Sequence, residues 1–175
     1  TGNGHIARAE DVIPILKQYG ELDLFVSGAQ ADIKLPYPVK YKSKGLSFFF
    51  GKSGGIDFYK TFKNNSSKEV YKEIKKFPVS EYDLVINDFE PITAWACKKR
   101  EIPCVGLSHQ SALLSAKIPS PRKIDPVGEW VIHNYAPVDK YVSFHFDRYD
   151  TDMFTPVIRS VVKQASVSDK GHYTV

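Results

Sequence analysis

Four short polar stretches carry most of the residues able to do chemistry: Thr1-Gly2-Asn3-Gly4-His5, Ser27-Gly28-Ala29-Gln30, Asn87-Asp88-Phe89-Glu90 and Ser108-His109-Gln110. His5 enters the first turn of an expected helix, where the positive end of the dipole opposes a charged ring. A neutral imidazole there can take a proton from a substrate hydroxyl, which makes His5 a candidate general base. The competing reading is a histidine that only packs or hydrogen-bonds at the turn. Arg8, one helical turn on, is either a counter-charge for a phosphate or carboxylate, or a solvated surface charge. Asp88 and Glu90 are able to orient a histidine or bind sugar hydroxyls, although Glu90 directly before Pro91 also fits a helix cap. His109 and Gln110 follow an apolar run and complete the candidate binding set with Gly2, Asn3, Gly4, Arg8, Ser27 and Gln30.

Other candidates weigh less. Gly2, Gly4 and Ala7 match the G-x-G-x-x-G/A dinucleotide fingerprint, but its confirming acid belongs at the end of the second strand. Ser27 holds that place, and Asp23 stands at the strand's beginning. A nicotinamide cofactor is therefore not expected. Asp150-Thr151-Asp152 imitates a metal-binding D-x-D, and no metal is assigned to it. His133 and His145 read as structural. Gly54-Gly55 offers backbone amides to a phosphate or simply turns the chain. Phe48-Phe49-Phe50 reads as core, with a lipid-contacting surface as the alternative. Cys97 and Cys104 have neither metal-ligand spacing nor a disulfide framework and read as buried free thiols in a reducing compartment.

The elements that must position these loops alternate. Ala9, Val12, Ile13 and Leu16 mark an amphipathic helix over Ile6–Tyr19, interrupted at Pro14 and ended by Gly20. Leu22–Val26, Val39–Lys42, Leu46–Phe50, Cys104–Leu107 and Lys140–Phe146 read as strands. Leu84-Val85-Ile86 reads as a parallel strand covered on both faces. Ser66 and Glu69 form a capping box for a helix burying Val70, Ile74 and Phe77, and Pro91 opens another with Glu90 as N-cap. Gly171–Val175 resembles the opening of a further strand. This alternation predicts an α/β domain, a Rossmann-like, mainly parallel sheet flanked by helices. Ligands of such sheets bind beyond the carboxyl ends of the strands, which gathers the four polar loops at one edge.

The 175 residues suit one domain, with 42% hydrophobic and 13% aromatic residues supplying its core. A net charge of +4, spread along the chain, excludes a nucleic-acid arm but is compatible with an anionic membrane surface or a phosphorylated ligand. No apolar run is long enough to span a membrane. The chain opens on its glycine turn without an initiator Met or a preceding strand, so the absence of a signal peptide carries no weight. The domain is expected over 1–162, lacking its first strand, with 163–175 as a linker and the start of a truncated C-terminal domain.

Thr1-Gly2-Asn3-Gly4-His5 followed by Ile6, Arg8 and a kinked helix resembles the glycine-rich loop that opens the N-terminal domain of GT-B glycosyltransferases. The MurG type, with its G-G-T-G-G-H loop, and the related diacylglycerol glycosyltransferases are nearest in that loop. The segments Ser27–Gln30, Lys44-Gly45-Leu46-Ser47-Phe48, Asn87–Pro91 and Ser108–Gln110 extend the likeness, over almost the whole chain, to a bacterial family assigned as glycosyltransferases. The resemblance implies two Rossmann-like domains facing a cleft, the N-terminal one taking the acceptor and the C-terminal one most of the sugar nucleotide. It implies no metal and no resident cofactor, a nucleotide-sugar donor as co-substrate, and a hydroxyl acceptor that includes lipid-linked candidates. His5 matches the histidine near the acceptor hydroxyl, and the glycine turn faces the donor diphosphate. Asn3 departs from the pattern, standing between glycines where MurG-type loops have a Gly-Gly pair. The implied location is the cytoplasm, with peripheral contact at the inner face of the membrane. A UDP-sugar epimerase on the same scaffold and a non-catalytic nucleotide- or sugar-binding module are the alternative functions, and the fragment alone is not expected to catalyse transfer.

Overall fold

Helical structure begins directly after Gly2. The computed structural model describes residues 2–28, 35–46, 66–119, 125–168 and 171, and its first element is α1 (Asn3–Leu16), which buries Ile6 and Ile13. Pro14 lies inside the last turn rather than breaking it, and the helix stops at Leu16, short of the expected Tyr19. The Glu10 carbonyl that Pro14 cannot pair with accepts the Tyr37 hydroxyl instead, at 3.4 Å.

β1 (Phe25–Ser27) and β2 (Tyr41–Ser43) pair in parallel, with Phe25 opposite Tyr41 and Ser27 opposite Ser43. Both strands sit slightly later in the chain than their apolar runs imply. α2 (Ser67–Lys76) opens with Ser66 Oγ accepting the Glu69 amide at 3.3 Å, which is the expected capping interaction. β3 (Val85–Asn87), α3 (Pro91–Arg100), β4 (Cys104–Ser108), α4 (Pro126–Asn134), β5 (Lys140–Phe144) and β6 (Met153–Phe154) follow. The four strands form a second sheet, parallel throughout, in the order β3-β4-β5-β6. The protein is thus an α/β structure with two parallel-strand sheets flanked by helices, compatible with a Rossmann-like fold. The short α5 (Ser160–Lys163) runs across the expected boundary at 162 and is tied back to α1, the Ser160 hydroxyl donating to Asp11 at 2.8 Å. Most of the strand expected over Leu46–Phe50, the Gly54-Gly55 loop, and Gly171–Val175 except Gly171 lie outside the described residues.

The core packs α2 and α3 against β3 and β4 through Ile74, Val79, Ile92, Ala96, Cys97 and Cys104. Each fully buried aliphatic side chain there contributes about 1.5–3 kcal/mol. Both cysteines are free and buried. The hydrogen bond between their thiols, with burial second, pushes Cys104 well above the usual thiol range, so it stays protonated and unreactive. One expectation fails here. Leu84, just ahead of β3, and Ile86 within it remain 49% and 38% exposed, because both side chains line an open cavity. β5 also ends at Phe144, earlier than expected. His145 therefore lies beyond the strand, in a turn where its Nδ1 accepts the Asp147 amide at 3.1 Å. Among the described residues no helix is long and apolar enough to cross a membrane.

Candidate active site

The amino end of α1 and the turn after β3 meet at the carboxyl edge of the sheets. His5 Nδ1 lies 2.8 Å from Asp88 Oδ2, and Arg8 donates to the other oxygen of the same carboxylate. A ring whose Nδ1–H is donated to a carboxylate keeps its lone pair on Nε2, the arrangement that orients a proton acceptor. Arg8 is not a solvated surface charge. It is 8% exposed, stacks 5.5 Å from the centre of the Phe144 ring, and has Asp88 as its counter-charge. Arg8 thus neutralises and fixes the residue that orients His5.

The turn that carries Asp88 is held rigidly. The Asn87 side-chain amide donates to the Glu90 carbonyl at 2.7 Å and to Thr93 Oγ1 at 2.8 Å, while its Oδ1 accepts the Glu90 amide at 2.9 Å. Phe89 adopts a left-handed conformation (φ 54°), a strained choice for a non-glycine residue that reverses the chain between the two acids. They consequently part company. Asp88 turns to His5 and Arg8, whereas Glu90 caps α3, accepting the amides of Ile92 at 2.9 Å and Thr93 at 2.8 Å. Burial raises the Glu90 pKa, against the opposing pull of the Thr93, Ile92 and Ser27 hydrogen bonds. Ser27 is buried and spends its side chain on Glu90. Gly45, at φ +60°, packs directly on Ser27 and leaves no room for a Cβ. Ser27 and Glu90 therefore brace the floor of the site.

His109, after β4, faces the same space. Its Nδ1 is 3.2 Å from the Phe144 carbonyl, which can only accept, so Nδ1 carries the proton and Nε2 is the open nitrogen. Desolvation, helped by the charge of Arg8, lowers its pKa and keeps the ring neutral at pH 7. Gln110 Oε1 is buried and has no hydrogen-bond partner among the described residues. Such an acceptor costs about 1–3 kcal/mol until a donor reaches it. A cavity of about 410 Å³ is lined by Gly4, His5, Arg8, His109, Gln110 and Arg159, among others.

The structure thus brings together Gly2, Gly4, His5, Arg8, Asp88, His109 and Gln110. Gly2 and Gly4 have open space where a Cβ would stand and no positive φ, so neither packing nor backbone strain requires glycine there. Gln30 lies outside the described residues, as does Thr1. Asn3 forms the first residue of α1. His133 is solvent-facing, 3.8 Å from Glu129. Asp150 binds Lys117 at 2.9 Å and Ser115 at 3.1 Å, and those contacts hold its carboxyl below the usual range. Phe144 and Arg159 escape a reading of the sequence. Phe144 closes β5, so the strand-end rule would find it once the strand's true end is known. Arg159 stands five residues beyond β6, at the N-cap of α5, and carries no local signal. Compared with models of known protein families, with curated proteins and with solved structures, the chain has no match.

Proposed function

We propose that this chain is the acceptor-side N-terminal domain of a GT-B glycosyltransferase, moving a sugar from a nucleotide-sugar donor to an acceptor hydroxyl. The observation that carries the reading is the His5–Asp88 pair, 2.8 Å apart beside the cavity that also receives His109 and Arg159. His5 Nε2 takes the acceptor O–H proton as that oxygen bonds to the anomeric carbon. The bond from that carbon to the diphosphate breaks, and the nucleoside diphosphate leaves with the electron pair. Positive charge from Arg159 and the amino end of α1 favours an anion at this edge. The Gln110 oxygen, without a partner among the described residues, is suited to receive a sugar or acceptor hydroxyl.

In the full-length enzyme, His5→Ala should lower nucleotide-sugar turnover in the presence of acceptor by roughly 10²–10⁴-fold. Asp88→Asn should also lower it, since the orienting carboxylate is lost. Unchanged turnover in His5→Ala would refute the base role. Conversion of the nucleotide sugar without any acceptor would replace the transferase reading with an epimerase.

A further inference from the structure

The cavity beside His5 has α1 on one side, the end of β4 on another, and Val157, Ile158 and Arg159 on a third. That third wall has little of its own to hold it. Residues 155–159 belong to no helix or strand, Ile158 is 52% exposed, and no residue of α5 is buried. A single helical turn is not stable by itself. The segment is nevertheless fixed at one point. The Ser160 hydroxyl donates to Asp11 Oδ1 at 2.8 Å, and the Ser160 amide lies 3.3 and 3.2 Å from the two carboxylate oxygens. Among the described residues, these are the only hydrogen bonds that join residues 155–163 to the rest of the protein. Gly4 and Ala7 line the cavity, and Asp11 follows them at helical spacing, so the face of α1 that borders the site also carries the anchor.

The residue next to the anchor is Arg159. Its carbonyl accepts the amides of Val162 at 2.9 Å and Lys163 at 3.1 Å, and the amide that follows it is the one Asp11 holds. Its backbone is thereby set, while its guanidinium makes no hydrogen bond or ion pair among the described residues. Of the two arginines on the cavity, Arg8 is neutralised by Asp88 and Arg159 is not. We propose that Asp11 is a positioning residue: by holding Ser160 it keeps Arg159 over the cavity, where the guanidinium meets the diphosphate of a bound substrate. The diphosphate itself rests on the transferase reading. A carboxylate this close to the site works against an anion by charge alone. Positioning and simple electrostatics therefore predict opposite signs when Asp11 is removed.

The test is calorimetric titration of the chain with inorganic pyrophosphate at low salt. Arg159→Ala should weaken binding about tenfold, the worth of one charge-assisted contact. Asp11→Ala should weaken it by a similar factor although it removes a negative charge, and the double variant should bind no worse than either single one. Asp11→Asn keeps an acceptor oxygen for the Ser160 hydroxyl and should stay close to the native value. Ser160→Pro gives a second route that leaves Asp11 in place. Proline suits the first position of α5 and the extended Arg159 before it, yet it removes both donors to Asp11, so it too should weaken binding. If Asp11→Ala or Ser160→Pro binds pyrophosphate as tightly as the native chain or more so, the inference is overturned; a loss confined to Arg159→Ala then leaves the transferase reading standing. Absence of binding by the native chain overturns the inference together with the placing of an anion at this edge. In the full-length enzyme, Asp11→Ala should raise the KM for the nucleotide sugar where the diphosphate is the donor's, or for the acceptor where the acceptor is phosphorylated. Unchanged KM for both overturns the inference as well.

Discussion

Two helices begin at the carboxyl edge of the sheets, and they begin in opposite ways. α3 starts closed: Glu90 accepts two of its first amides, Pro91 removes another donor, and Asn87 locks the turn ahead of it. α1 starts open: its N-cap is Gly2, which has no side chain to offer, and no acidic residue stands in its first turn. Glycine is a poor helix former, yet α1 has Gly4 in its first turn with open space where a Cβ would stand. The closed start serves stability. The open one is bordered by His5, Arg8 and a cavity, and its His5 amide turns back to the Gly2 carbonyl at 3.2 Å rather than to a capping side chain.

Substitutions should separate the two starts cleanly. The largest effect is expected from His5→Ala: on the proposed transferase reading, a loss of roughly 10²–10⁴ in sugar turnover with a thermal midpoint almost unmoved. A midpoint that fell with activity would make His5 part of the frame. Next comes Glu90→Ala, which removes the α3 cap and the acceptor of the Thr93 hydroxyl proton; it should cost about 2–3 kcal/mol, read in denaturant unfolding. A cost below about 0.5 kcal/mol would erase the contrast between the helices. Gly2→Ser should change stability by only a few tenths of a kcal/mol while lowering turnover on the proposed reading, because a hydroxyl would then cap the amino end of α1 beside His5. If turnover holds, the open start has no function.

The smallest effect concerns pH. His109 has its pKa lowered in the fold by desolvation and by Arg8, so between that lowered value and the ordinary histidine value the unfolded chain binds more protons. Stability should therefore decline modestly as pH falls below about 6.5, and His109→Gln should flatten that part of the profile. An unaltered slope would place the titration elsewhere.

Signals confined to a few neighbouring residues were legible in the sequence. Ser66 with Glu69, and Glu90 with Pro91, mark helix starts through bonds spanning three residues or fewer, and both starts form where expected. β4 follows from a continuous apolar run buried at alternate positions. Pairings distant in the chain were not legible. Nothing near Arg8 specifies an acid 80 positions away, so its burial against Asp88 emerges only when α1 meets the turn after β3. The roles of Asp88 and Glu90 were equally open, because the left-handed Phe89 between them decides which way each points. Leu84 and Ile86 read as fully covered, since composition records apolarity and not which neighbours a strand has.

Pro14 leaves one main-chain acceptor of α1 without its usual helical partner, and Tyr37 takes it up from the connection between β1 and β2. An interruption in local bonding thus becomes a tether to a distant segment, reinforced by Lys17 resting 5.0 Å from the centre of the Tyr37 ring. Replacing Pro14 with alanine would therefore set two donors against each other for one oxygen. A change that perfects the helix would do so by loosening the strap that holds its far end.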